Sequence, residues 1–577
     1  MTTFRLILVP ALTAASVWAA AVPDRVADKF TPAPFERQRI EGLLGERMRV
    51  NLEGRLLHVD EPRLLRGFEQ PPGEQAWIGE HIGKYLDAAC NTWRYTHDSR
   101  LKAQMDRMAR RLMATQRPDG YLGTYTDDKR WTSWDVWIHK YDLIGLLNYH
   151  VTTGDAGALR ASRRIGDLLA ETFGTGPGQR DLIAASTHVG MAASSVLEPM
   201  GELYRLTGEP RYLDFCLYIV SSWEQPNGPN LLDSLRTTGS VFRTANAKAY
   251  EMMSDLVGVV ELYKVTGEER LLRPVLTAWR DIRDKRLYIT GTTSSKEHFL
   301  DDNLLPGGDQ DNVGEGCATV TWLQLTWRLL RLTGATEYAD ELERTVYNQL
   351  LGAQDPQNGD ICYFTPLNGT KKPGPGINCC VSSEPRGISL IPELTWGSLH
   401  DGPAIMLYTP GEFETSFAKI TSSTSFPADG SVRLTVEPKR DEFTLYLRVP
   451  QWTRSFTATV GDRKLTGKPG TLLSISYQKK EDETKPLGIA VDMDMTVRAV
   501  PGGVSYPESV AIQRGPQVLA AENRLNPEMI SVRPTVTAVE TVKPPAAWSG
   551  AQVYTVDGVT LVPFADAVDM RVWIPAR

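Results

Sequence analysis

NYHVTTGDAGALR (148–160), ELYRLTGEPRYLD (202–214), ELYKVTGEERLLR (261–273) and RLLRLTGATEYAD (328–340) repeat one short design. Each brings an apolar-periodic helix to a Thr-Gly pair and starts another helix beyond it. Gly154, Gly208, Gly267 and Gly334 can take the left-handed backbone that closes a last helical turn. The glycines fall 54, 59 and 67 residues apart, enough for two helices and a long loop per unit. QRPDGYLGTY (116–125) marks another loop between two such helices. Helix pairs at this period build either an open solenoid or a closed toroid. Long, irregular, aromatic-bearing loops on one side favour the toroid, with a central pocket.

Working outward, residues 80–398 are expected to form an (α/α)6-like toroid that carries the chemistry. Beyond residue 398 the period changes to two, as in SVRLTVEP (431–438), FTLYLRVPQW (443–452) and LLSISYQKK (472–480). This predicts a β-sandwich over 399–500, followed by a Pro-jointed β region over 501–577. The segment 22–79 is expected to lend strands to the β region, with MRVNLEGRLLHVD (48–60) as their source. The fold class is thus multidomain α+β, an N-terminal toroid followed by C-terminal β-sandwich domains. Residues 1–21 have the pattern of a secretory signal, with Arg5, an apolar run Leu6 to Val17, and Ala19-Ala20-Ala21. That run is too short for a membrane span, so export to the periplasm or cell exterior is expected, without stable membrane insertion.

The 577 residues are 41% hydrophobic and 23% charged, ordinary values for a soluble chain long enough for several cores. A formal charge of −7 lacks the basic footprint of a nucleic-acid binder. Six cysteines are too few for a disulfide scaffold in an exported chain of this size. Cys90 and Cys216 sit on apolar helical faces and read as buried spectators. Cys317, Cys362, Cys379 and Cys380 crowd into 64 residues, and this clustering needs an explanation.

Glu315-Gly316-Cys317 together with Cys379-Cys380 offers three thiols and a carboxylate, a set suited to tetrahedral zinc. Cys379 and Cys380 could instead pair with Cys317 and Cys362 as disulfides, or the thiols could remain reduced and inert. An acidic run precedes them: Glu297, Asp301, Asp302, Asp309, Asp311 and Glu315. Glycoside cleavage needs an acid for the leaving oxygen and a second group to attack the anomeric carbon. A thiolate can be that attacker when something holds it deprotonated, and metal coordination does so.

VGEGCATVTWLQL (313–325), YADELERTVYNQLLGAQ (338–354), ICYFTPLNG (361–369) and INCCVSSEPRGISLIPEL (377–394) resemble glycoside hydrolase family 127, the zinc-thiolate β-L-arabinofuranosidases. The resemblance runs on through the Thr-Gly hairpins into FTLYLRVPQWT and IQRGPQVLAAEN. It implies a Zn2+ cofactor on Glu315, Cys317, Cys379 and Cys380, with Cys379 as the nucleophile that forms a glycosyl thioether. It implies Glu297 as acid/base, with Asp301 or Asp302 able to substitute. Glu343 and Tyr363 match residues that contact the furanose, and His139 matches a pocket histidine. WIGEHIGKYL (77–86) resembles a segment that closes the pocket.

Two positions depart from the family pattern: Ser194 and Lys248 stand where pocket histidines are usual. Lys248 would suit a furanose bearing a carboxylate, such as an acidic sugar of pectin, or could pair with Glu251 or Asp255 on its own helix. The expected activity is that of a retaining exo-glycosidase on terminal furanosides, foremost β-L-arabinofuranosides of plant cell wall or glycoprotein, with no organic cofactor. Three alternatives stand beside it: the same mechanism on an acidic furanose, a polysaccharide lyase of similar architecture, and a non-catalytic sugar-binding protein with structural zinc. The oligomeric state is left open.

Overall fold

The computed structural model describes residues 22–479, 486–546 and 548–577. The signal-like segment 1–21 lies outside the described residues. Among them, six helices close an inner ring: Glu80–Thr96, Asp135–Thr153, Leu197–Thr207, Ala249–Thr266, Gly316–Thr333 and Cys379–Ser389. Each packs on the next, and the last packs on the first. Outer helices run back along them: Ser99–Ala114, Ala156–Thr172, Pro210–Ser222, Glu269–Lys285 and Thr336–Thr345. Gly42–Val50 and the helical turns after it cover the sixth inner helix.

The sequence explains which helices lie inside. Ala249–Thr266 is apolar nearly all round and is buried along almost its whole length. Glu269–Lys285 buries one stripe, including Leu271, Val275, Ala278, Trp279 and Ile282, and turns most of its charges to solvent. Gly154, Gly208, Gly267 and Gly334 end inner helices in the left-handed region, with φ of 75, 70, 72 and 66°. The inner helices therefore run parallel, with their first turns all at one end of the barrel.

A five-stranded sheet takes Phe30–Pro32 at its edge, and a seven-stranded sheet takes Gln38–Ile40 at its edge. Between them they use the strands from Trp396–Leu399 to Leu487–Met493, and their alternating apolar residues share one core with the barrel. The segment 48–60, expected to be strand, is helical: Met48 to Val50 finish a helix, and helical turns continue to His58. Its apolar residues Met48, Leu52 and Leu56 recur at four-residue intervals and join that core, so period 3.6 prevails over the β-branched appearance. A nine-stranded sheet over the C-terminal residues captures Asn368–Thr370 from a barrel loop through Asp569–Arg571. Among the described residues, no helix is long and apolar enough to cross a membrane.

Candidate active site

Two inner helices start side by side at the site. Glu315 precedes Gly316–Thr333 as its N-cap residue, and Cys379 and Cys380 open Cys379–Ser389. The Asn378 side chain caps the second helix by accepting the Val381 N–H at 2.9 Å. Gly316 lets the two ends meet: a Cβ there would lie 3.0 Å from both Cys380 Cβ and Glu384 Oε1. One ligand-type atom each from Glu315, Cys317, Cys379 and Cys380 comes within 4.8 Å of the others. Cys379 Sγ and Cys380 Sγ are 3.8 Å apart, and all six cysteines are free. The disulfide reading is thereby set aside.

The chemistry of this cluster fits a metal ion. Glu315 is 2% exposed, and its Oε2 has no hydrogen-bond partner among the described residues. Burial pushes Glu315, Cys317 and Cys380 well above their ordinary values. Cys379 goes the other way: hydrogen bonding with Cys317 and Cys380, aided by Lys84 and Tyr363, holds its thiol well below the usual range. Helix first turns favour anionic sulfur in addition. Lys84, fully buried, lies 3.9 Å from Cys317 Sγ, 3.3 Å from the Cys379 carbonyl and 3.1 Å from Glu80 Oε1. Glu80 also accepts the indole N–H of Trp137.

On the other side of Cys379, its thiol donates to the Tyr363 phenol at 3.1 Å, and that phenol donates to Glu297 Oε1 at 2.9 Å. Tyr363 is anchored by its own carbonyl, which accepts the Gly316 N–H at 3.2 Å. Glu297 is set by a short pairing of two loops: its carbonyl accepts the Ala249 N–H at 3.0 Å, and Phe299 N–H donates to the Ala247 carbonyl at 2.9 Å. Lys296 and Glu297 are both left-handed, with φ of 48 and 66°, conformations that side-chain-bearing residues hold only when the surroundings impose them. The second Glu297 oxygen is ion-paired with Lys248.

Glu251, one helical turn after Lys248, is 1% exposed, and burial pushes its carboxyl up to about 7. His188 Nε2 lies 3.8 Å from Glu251 Oε1. Burial, then Lys248, lowers the His188 imidazole to about 4.

The structure gathers Glu297, Lys248 and Tyr363 beside the four-residue cluster and leaves other anticipated residues elsewhere. Ser194 is fully buried and donates to Asp255 Oδ1 at 2.8 Å. Glu343 is spent on the β-sandwich, where Arg448 is ion-paired with Oε1 and Trp452 Nε1 donates to Oε2 at 2.7 Å. His139 is fully buried between the rings of Tyr121 and Trp131, with centroids 4.9 and 5.4 Å away, and its Nδ1 bonds the Asp135 carbonyl. Trp137 and Tyr141 of the same helix are the residues that share a buried cluster with Cys317 and Cys380. Asp301 is exposed, and Asp302 is held by Lys285 and Arg286 at 2.7 Å each. Lys248 pairs with neither Glu251 nor Asp255 but reaches across to Glu297. Glu251 was visible only as a partner for Lys248, and His188 in STHVG carries no motif.

A parallel six-helix barrel with a carboxylate and a thiol cluster at its helix starts, backed by β-sandwiches, brings together the two kinds of group that glycoside cleavage needs. The chain belongs to glycoside hydrolase family 127: the family's catalytic domain, described as "Beta-L-arabinofuranosidase, GH127 catalytic domain", matches residues 46–393, and its middle domain matches 404–495. It is therefore a glycoside hydrolase, and the lyase and non-catalytic readings fall. The "Non-reducing end beta-L-arabinofuranosidase" of Bifidobacterium longum subsp. longum is 26% identical over 511 residues, covering 77% of this chain and 75% of the relative. A solved GH127 β-arabinofuranosidase superposes with a TM-score of 0.80 at 20% identity, over 96% of this chain and 98% of that one. A GH127 β-L-arabinofuranosidase from Geobacillus stearothermophilus T6 gives 0.78 at 20% identity, over 94% and 100%.

Proposed function

We propose that the protein is a zinc-dependent, retaining exo-β-L-arabinofuranosidase with Cys379 as nucleophile and Glu297 as acid/base. The observation that carries this reading is the hydrogen-bonded chain from Cys379 Sγ through Tyr363 to Glu297, beside the four-donor cluster. Three sulfurs and one carboxylate suit zinc better than a hard cation, and Glu315, Cys317, Cys379 and Cys380 would hold it. When bound, zinc would keep the thiols ionised at neutral pH.

Cys379 Sγ attacks the anomeric carbon while the bond to the leaving oxygen breaks. The Cys379 thiol proton, passed through the Tyr363 phenol to Glu297, is delivered by Glu297 to that oxygen, leaving a glycosyl thioether. Glu297, now a carboxylate, takes a proton from water, whose oxygen attacks the same carbon and displaces the Cys379 sulfur. Two inversions give net retention. Tyr363 fixes the distance between nucleophile and acid and offers the proton a route between them. Lys84 counters the negative charge behind the thiols.

The Lys248 ammonium is neutralised by Glu297 and flanked by Glu251. A substrate carboxylate would have to displace Glu297 from this ion pair, so the neutral furanose is favoured over the acidic one. The signal-like leader supports export of this activity.

The test pairs metal analysis with hydrolysis of aryl furanosides and pyranosides. About one zinc per chain is expected, with release from β-L-arabinofuranoside and a loss of 10³-fold or more in a folded Cys379→Ala variant, as for removal of a nucleophile. A Cys379→Ala variant that retains its activity would overturn the reading.

A further inference from the structure

An aromatic path leads from the surface to this site on the acid/base side. Trp77 is 39% exposed, an unusual position for an indole. It meets Trp134 edge-on at 6.3 Å between ring centroids. Trp134 then meets His188 at 5.4 Å and Trp137 at 5.5 Å. Trp137 packs on Tyr250 at 5.0 Å, and both rings share a buried cluster with Cys317 and Cys380. His188 in turn neighbours Glu251, Lys248 and Glu297.

The rim is built, not incidental. Ser133, just before Trp134, has φ 55°, and His188 and Val189 have φ of 54 and 57°. None of these is glycine, so the fold holds strained backbone at the positions that present these rings. The loops are tied together where Ser186 Oγ donates to the Ser133 carbonyl at 3.1 Å.

An acid that protonates a leaving oxygen must stand on the leaving group's side of the scissile bond. Trp134 and Trp77 continue outward from that side. We infer that Trp77 and Trp134 form the leaving-group subsite, stacking on the apolar ring face of a neutral sugar, with His188 as a hydrogen-bond partner for its hydroxyls. This rests on the proposed function. It assigns the aromatic corner to the part of the substrate that departs, not to the furanose that is transferred.

The test uses zinc-loaded protein and two substrates with the same β-L-arabinofuranosyl group, one with a methyl leaving group and one with a second arabinofuranose. Trp134→Ala and Trp77→Ala should lower kcat/KM for the disaccharide about 10-fold each, near 1.4 kcal/mol, through KM, and leave the methyl glycoside within about twofold. Trp134→Phe should recover most of the loss, which separates lost stacking from misfolding. Equal losses on both substrates, or none, would overturn the subsite. Calorimetric binding to Glu297→Gln protein gives a readout without turnover: the disaccharide should bind more tightly than the methyl glycoside, and Trp134→Ala should erase the difference. If neither glycoside binds, the arabinofuranoside reading fails, and the subsite is judged by free neutral pentoses and hexoses. Indole fluorescence that they quench, and that Trp134→Ala abolishes, would then support it; no quenching would overturn it.

Discussion

Lys248 Nζ is ion-paired with the Glu297 carboxylate, joining the start of one inner helix to a loop 49 residues further along the chain. The pair fixes a flexible acid between Tyr363 on one side and the helix start on the other. It also leaves the lysine without free charge for a ligand.

Lys248→Met should therefore lower kcat on neutral arabinofuranosides by about 10- to 100-fold, with little change in KM, because the acid loses its anchor and not the sugar a contact. Steady-state kinetics on neutral and carboxylate-bearing furanosides checks this. Wild-type preference for the acidic substrate, lost in the variant, would revive the acidic reading.

Glu297→Ala should cost about 10²- to 10⁴-fold on alkyl glycosides, the usual contribution of a positioned acid. The loss should be much smaller for nitrophenyl leaving groups, which depart without protonation. Added azide should restore turnover by attacking the thioether in place of base-activated water. Equal losses for both leaving-group classes would remove Glu297 from the acid role.

Glu251 offers a pH signature. Its folded carboxyl is raised to about 7 by burial, against about 4.5 in the unfolded chain, with Lys248, Glu297 and Cys379 facing it. The folded state then binds the proton more tightly than the unfolded state, so stability falls as pH rises from about 4.5 through 7. Glu251→Gln removes that penalty, which is at most on the order of 3 kcal/mol. Denaturant melts should show the variant and wild type alike near pH 4.5 and the variant more stable at pH 8. A constant difference across pH would mean that Glu251 does not titrate in this window.

Glu343→Ala separates a structural from a sugar-binding role. Arg448 is fully buried and held by Glu343 together with Asp340 at 2.5 Å, so the variant leaves half of its compensation missing. About 3 kcal/mol of destabilisation is expected, with KM within about twofold at temperatures where the variant is folded. A large rise in KM at unchanged stability would return Glu343 to the sugar.

Much of this was legible in the chain because it depends on local rules. The Thr-Gly hairpins announce helix ends through one glycine conformation, and adjacent cysteines after Glu-x-Cys leave few roles open. The partner of Lys248 was not legible, since Glu297 reaches it only through two left-handed residues that no local propensity foretells. Glu343 misled for a related reason: a helix residue matched by motif to a pocket can face Arg448 of a different layer, 105 positions away. The segment 48–60 looked like strand because its valines and leucines suit either period, and burial against the barrel decided the matter. His188 carries no sequence signal at all; its significance comes from a left-handed turn and from Trp134 beside it.

The parallel inner helices have an evolutionary corollary. The thiol cluster belongs to the barrel's framework, because Cys379, Cys380 and Cys317 lie in first turns whose positions the whole ring determines. Trp77, Trp134, His188 and Glu297 belong to the connections between helices or to their margins. Descendants of such a scaffold can rewrite the connections, and what those connections touch, while the thiol cluster keeps its place in the ring.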